Sequence, residues 1–228
     1  MDEIIPLLKD TWRFFNRHLI AICSIILPLI VPLNLVYAFA QSYSTQESQM
    51  FWLTLTLGVL VYPIYQAALI FYIASTISGN SLSRGACYKL SLKSWLPLML
   101  LTVISTCAVM TGLMLFILPA LFVMARLAFS EFYCVLNNKN PIASFSTSWE
   151  ATKEKQWVIF GGGMAIFFVS VAPLWGLDKL ATLMGINSPF IAFILGTLET
   201  LLMVPLTIFG YRVFTLHQTE LNNGKSDA

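Results

Sequence analysis

The chain has 228 residues, 57% of them hydrophobic and 11% charged, with a mean hydropathy of +0.77. A soluble globular domain carries roughly 25% charged residues, and one bilayer crossing takes about 20 apolar residues, so six crossings occupy over half the chain and leave no room for a separate soluble domain. A net charge of +2 is too small to indicate nucleic acid, and basic residues near a membrane surface meet anionic lipid headgroups instead.

The chain opens on an amphipathic segment. Residues 4–19 place Ile4, Leu8, Trp12, Phe15 and Leu19 on one helical face, with Lys9, Arg13 and Asn16 opposite. A first span follows from about Leu19 to Ala40 and carries Pro28 and Pro32 on one face. Arg13, Arg17, the apolar run and Ala38-Phe39-Ala40 also have the outline of a secretory signal. The run from Leu19 to Val36 exceeds the usual h-region of roughly 7–15 residues, so an uncleaved anchor is expected. A polar loop, Gln41 to Gln49, holds Glu47 and no basic residue. The second span runs from about Phe51 to Ile77 and ends at Ser78-Gly79-Asn80.

Residues 82–95 form a second aromatic and basic segment, with Leu82, Tyr88 and Trp95 beside Arg84, Lys89 and Lys93. From Trp95 to Leu136 the chain is nearly continuously apolar. One helix of that length would measure about 63 Å, twice the hydrocarbon thickness, and both flanks are basic. The stretch is therefore expected to be a tight hairpin. Pro119 is the expected hinge, since proline starts helices and does not continue them; Thr111-Gly112 is the alternative.

A third segment, residues 141–157, is capped by Asn140-Pro141 and carries Ile142, Phe145 and Trp149 at helical spacing, with Lys153 and Lys155. The fifth span runs from about Trp157 to Gly176 and opens on Gly161-Gly162-Gly163 and Ala165, small residues suited to close helix packing. No strand precedes these glycines and no Lys-Ser/Thr follows, so they are not a phosphate loop. Asp178 and Lys179 are expected in an outer loop. Ser188-Pro189 reads as N-cap and first residue of the sixth span, which continues to about Tyr211. The polar tail, residues 219–228, is expected to be disordered.

Eleven of the 13 lysines and arginines fall before the first span, after the second, after the fourth or after the last. The other gaps hold only Lys179, and Arg126 lies inside a span. Basic residues accumulate in cytoplasmic loops, which predicts six crossings with both termini cytoplasmic. The expected architecture is all-α: a polytopic membrane protein of six transmembrane helices plus three interfacial amphipathic helices on the cytoplasmic side. It forms one domain over 1–218, divisible into units 1–77, 80–136 and 139–213, in which Trp12, Tyr88 and Trp149 take equivalent places. Ordinary loops between spans carry the same aromatic and basic residues, so repeats and ordinary loops both remain open.

Ionisable groups inside a membrane are costly and are functional candidates by default. Arg126, Glu131 and Glu199 meet that description. With the fourth span starting at Pro119, Arg126 lies about 10 Å and Glu131 about 18 Å from the outer surface, and Glu199 in the sixth span about 15 Å. Arg126 and Glu199 are therefore expected within reach of each other as a buried ion pair, acting either as a packing device or as a lipid, substrate or proton site. Gln66 in the second span lies at a depth that lets it hydrogen-bond Glu131. Cys23, Cys87, Cys107 and Cys134 are scattered and contain no C-x-x-C, so free thiols are expected. His18 and His217 are the only histidines, too few for a zinc or di-iron site without a supporting cluster. No Ser-His-Asp set, carboxylate pair or cofactor fingerprint occurs, so the expectation is a non-enzymatic chain without cofactor.

Lys9-Asp10-Thr11-Trp12-Arg13-Phe14-Phe15 and Asn140-Pro141-Ile142-Ala143-Ser144-Phe145-Ser146-Thr147-Ser148-Trp149 resemble the corresponding stretches of the YciC family of bacterial inner-membrane proteins. The segment from Val59 to Trp157 is similar throughout. The loop from Asn140 to Lys155 is also similar to the membrane domain joined to some glycerophosphodiester phosphodiesterases, whose catalytic barrel this chain lacks. That domain often has an arginine in the preceding span, as Arg126 is here. The resemblance implies a multi-pass protein of the bacterial inner membrane and supplies no reaction. The expected function is a membrane module in envelope or lipid homeostasis with membrane lipids, or another membrane protein, as partners. A small secondary transporter or channel subunit using the intramembrane Arg/Glu site is the alternative.

Overall fold

Runs of apolar residues make long helices here, continuing through the internal prolines Pro28, Pro32, Pro63, Pro97 and Pro205; the computed structural model describes the backbone of 4–43, 47–185 and 188–226, with side chains over 4–40, 52–185 and 188–223. The chain order is α1 (Ile4–Tyr43), α2 (Glu47–Ile77), α3 (Arg84–Leu115), α4 (Ile117–Arg126), α5 (Ser130–Leu136), α6 (Pro141–Ala151), α7 (Gln156–Ile166), a π-helical turn (Phe167–Val171), α8 (Ala172–Leu183) and α9 (Pro189–Ser226). Six segments are long and apolar enough to cross a membrane: 4–40, 52–77, 84–115, 117–136, 156–183 and 189–223.

Cross-chain contacts set the packing. Tyr37 Oη donates to the Thr54 carbonyl at 3.0 Å and His18 Nδ1 lies 3.0 Å from Tyr72 Oη, so α1 and α2 are antiparallel. Trp95 Nε1 donates to the Leu60 carbonyl at 2.9 Å, which runs α3 back along α2. Asn34 Nδ2 donates to Thr197 Oγ1 at 3.1 Å, and the Arg212 guanidinium lies 5.9 Å from the Phe14 ring, which sets α9 antiparallel to α1. Ile22, Ile25 and Ile26 of α1, Leu69, Ile70 and Ile73 of α2, and Ile208 and Phe209 of α9 form the fully enclosed centre. The outside is apolar too: Met114 is 88% and Ile20 83% exposed. Exposed apolar surface on this scale is disfavoured in water and matched by lipid.

Several boundaries differ from the sequence reading. Residues 4–19 and 82–95 do not form separate short helices. The first is the opening half of α1, a single helix of 40 residues, and the second, from Arg84 onward, is the start of α3. Nothing between Ile4 and Leu19 stops a helix except Pro6, which falls in the first turn where proline is tolerated. The third segment does form its own helix, α6, with Asn140 Oδ1 accepting from the Ala143 amide at 2.7 Å as the expected cap. The hairpin turns at Phe116, whose extended backbone separates α3 from α4, and not at Pro119, which sits in the first turn of α4. Gly112, in the alternative hinge, is the point of closest approach: a Cβ there would stand 2.9 Å from the Ala120 Cα. Asp178 and Lys179 belong to α8, not to a loop. Gly79 has φ +77°, and the amides of Gly79 and Asn80 turn back onto Thr76 and Ser75, closing α2 where expected. The Ser188 carbonyl accepts from Ile191 and Ala192, so α9 begins at Pro189 as expected.

Residues 219–226 continue α9 as helix. The Lys155–Glu220 ion pair, at 2.8 Å, ties that extension to the start of α7. The centre of the expected loop at 44–46 and the last two residues of the expected tail lie outside the described residues.

Candidate functional site

The fourth span is broken, and the break builds the site. The Leu127 amide bonds the Val123 carbonyl in ordinary helical fashion, but the Ser130 amide turns to the Leu127 carbonyl at 3.0 Å. Its normal acceptor one turn back, the Arg126 carbonyl, is thereby released. α6 supplies the missing partners. Ser148 Oγ donates to the Arg126 carbonyl at 2.8 Å and accepts from the Phe129 amide at 3.1 Å. Thr152 Oγ1 stands 3.0 Å from the same carbonyl and 2.8 Å from the Ser148 carbonyl. Ser144, Ser148 and Thr152 are completely buried and four residues apart, one hydroxyl stripe that runs along α6 to its C-cap at Thr152. A buried carbonyl or amide left bare costs about 1–3 kcal/mol, so this stripe is what allows the span to break.

Arg126, the last residue of α4, lies at this joint, 5% exposed. Its guanidinium carbon is 5.0 Å from the centre of the Trp149 ring and 5.6 Å from that of Phe122. Phe145 lies beside Trp149 on α6, its ring centre 6.2 Å away and nearly parallel. Ring faces attract a cation by roughly 0.5–2 kcal/mol and supply no hydrogen-bond acceptor in the guanidinium plane. Nε and Nη1 are buried and have no partner among the described residues.

The acidic candidates stand elsewhere. Glu131, in the first turn of α5, receives Tyr62 Oη on one oxygen at 2.6 Å and Gln66 Nε2 on the other at 2.7 Å. Gln66 Nε2 also lies 3.3 Å from Thr207 Oγ1 of α9, so three helices meet at this half-buried carboxyl group. Glu199 accepts from Trp175 Nε1 at 2.9 Å on an exposed face between α8 and α9. The three ion pairs among the described residues join Asp10 to Arg13, Glu150 to Lys153 and Lys155 to Glu220. The structure therefore brings Glu131 and Gln66 together and does not bring Arg126 and Glu199 together. The depth argument fails because equal depth does not set direction: Arg126 faces Phe122 and, on α6, Trp149, whereas Glu199 faces Trp175 of α8.

Tyr62, Thr207, Phe122, Ser148 and Thr152 were not legible as site residues. The signal for two of them was present: hydroxyls four apart on α6, next to aromatics with the same period. Among the described residues no group of three His, Cys, Asp or Glu side chains stands close enough to hold a metal ion. The four cysteines are free.

This fold, with its exposed apolar sides and an arginine and a carboxyl group held in a broken span, is that of a multi-pass membrane protein. The chain belongs to the family described as Domain of unknown function (DUF7847), whose profile matches residues 39–217. No curated protein and no solved structure matches it.

Proposed function

We propose that the chain is a non-enzymatic module of the bacterial inner membrane that binds anionic lipid in envelope or lipid homeostasis, with both termini on the cytoplasmic side. The observation that carries this reading is the Arg126 guanidinium, buried against two aromatic rings, with two nitrogens unpartnered and no ion pair to a carboxylate among the described residues. A buried cation without a counter-charge is costly, and a phosphate oxygen in its plane is the acceptor a guanidinium fork suits best. The basic residues that flank alternate spans favour anionic lipid as the source. The likeness to the YciC proteins at Lys9–Phe15 and Asn140–Trp149 supports the membrane assignment.

Native mass spectrometry of the protein in mild detergent tests this. Wild type retains a phosphate-bearing lipid, Arg126→Lys retains less, and Arg126→Ala retains none while keeping its thermal stability in detergent within a few degrees. Equal retention by all three, or by none, overturns the reading and leaves a second membrane protein as the partner to be sought by crosslinking.

One observation favours a small transporter as a second reading. Glu131 is held by Tyr62 and Gln66 next to a broken span, and interrupted helices commonly flank transport sites. Ion-driven flux into proteoliposomes, abolished by Glu131→Gln and unaffected by Glu199→Gln, is the outcome that reading requires.

A further inference from the structure

A groove of about 570 Å³ runs between the first half of α1 and the π-helical turn of the fifth span. Its walls include Trp12, Ala165 and Val169, its charged residues are Lys9 and Arg13, and Thr11 and Ser170 also line it. We propose that this groove seats a phospholipid with an anionic headgroup: phosphate at Lys9 and Arg13, glycerol esters at Thr11 and Ser170, one acyl chain along Ala165 and Val169. The inference rests on the reading of the chain as a lipid-binding module but uses none of the residues that surround Arg126.

The two hydroxyls argue for a ligand. A threonine or serine in a helix ordinarily donates to a carbonyl one turn back. Thr102, Thr111, Thr197 and Thr200 all do so here, at 2.8–3.0 Å. Thr11 and Ser170 are 1% and 4% exposed, and their hydroxyls have no partner among the described residues. Of the four buried hydroxyls in that state among the described residues, Thr11, Thr76, Ser105 and Ser170, two line this one groove. A lipid ester carbonyl accepts hydrogen bonds and donates none, which complements them.

The π turn gives the groove its shape. Pro173 has no amide proton and cannot bond the Val169 carbonyl as an α-helix requires. The chain widens instead, with the Ala172 amide reaching the Phe167 carbonyl five residues back. Such turns recur at functional sites. Charge completes the match. Lys9 and Arg13 are exposed on α1, and Asp10 sits 3.5 Å from Arg13 in a loose surface pair, the one ion pair of these two cations among the described residues. Anionic headgroups are drawn to such clusters.

The test uses the full chain in phosphatidylethanolamine vesicles containing a trace of phosphatidylglycerol with a diazirine on one acyl chain. After illumination, adducts are mapped by peptide mass spectrometry. They should concentrate in residues 8–16 and 165–170 and compete with unlabelled phosphatidylglycerol. Thr11→Val with Ser170→Ala should lower labelling roughly tenfold, the worth of one weak hydrogen-bonded site, and Lys9→Gln with Arg13→Gln roughly fivefold for each charge removed. Thr11→Val and Ser170→Ala only remove unbonded hydroxyls, so both variants fold. A merely structural role predicts unchanged labelling and equal or higher thermal stability for them, and that result overturns the proposal. So does labelling spread evenly over the exposed faces of α3 and α8. Arg126→Ala is run in parallel. Groove labelling that survives it establishes a separate site. Arg126-dependent lipid retention without groove labelling removes the groove and leaves the Arg126 reading standing.

Discussion

Ser148 is the residue on which the fourth span depends most directly. One hydroxyl group serves two backbone groups of another helix, donating to Arg126 and accepting from Phe129. Ser148→Ala strands both, apart from what Thr152 still gives the carbonyl, and is expected to lower stability by about 1–3 kcal/mol. A thermal melt in detergent reads it, and an unchanged melting temperature would show that the joint is held by other means. Ser146→Ala, whose hydroxyl bonds only within α6 on an exposed face, should be silent. Gln66 near Glu131 is legible from depth counted along the spans, even though the count from Pro119 to Glu131 crosses the broken turn. Arg126 is legible as a buried cation but not in its surroundings. A carbonyl released by a broken turn leaves no mark in composition, and its new partners lie 22 and 26 residues away.

At the scale of the element, long apolar runs made the six apolar spans plain, and glycine or proline made several of their ends plain. Segmentation within those runs is a tertiary matter. The hairpin hinge lies at Phe116, which carries no turn signal and is 78% exposed, whereas the residues with signals flank it. Gly112 allows α4 to fold back, since the Ala120 backbone occupies the space a methyl group would need. Gly112→Ala therefore forces main chain, not a flexible side chain, to move. It should cost about 1–3 kcal/mol; Gly85→Ala, where a Cβ meets nothing within 4 Å, is the control. Equal melting temperatures for the two would count against a tight hairpin. The interfacial character expected for residues 4–19 came from a true amphipathic face. Only part of that face packs inward: Phe15 is buried and Ile4 and Leu8 half-buried, whereas Trp12 and Leu19 are 41% and 39% exposed.

For the whole molecule, antiparallel neighbours place the start of α1, the α2–α3 turn, the α6 segment and the end of α9 at one end of the bundle. These are the places where the basic residues gather. Charge bias read along the sequence and helix direction read from contacts are independent, and they agree on which gaps share a side. The prediction is made on a chain whose four cysteines are replaced by alanine. A membrane-impermeant maleimide added to intact cells should label Phe116→Cys and should reach Ser81→Cys and Lys153→Cys only after permeabilisation. The reverse pattern would invert the topology, and labelling of 81 and 153 from different sides would break the six-span arrangement. The two longest helices also exceed the bilayer. α1 and α9, of 40 and 38 residues, measure about 60 and 57 Å against roughly 30 Å of hydrocarbon.

The Ser148 joint also imposes an order on biogenesis. The ribosome delivers Arg126 and Phe129 before the hydroxyl that completes them. While only the fourth span has emerged, its broken turn exposes a carbonyl and an amide that hydrocarbon cannot hydrate. The nascent segment must therefore wait, as a continuous provisional helix or in the shelter of the insertion machinery, until Ser148 follows 22 residues behind the Arg126 carbonyl. A chain truncated before α6 should keep that provisional helix, and the rearrangement that sets Arg126 under Trp149 becomes a late, post-insertion step of assembly.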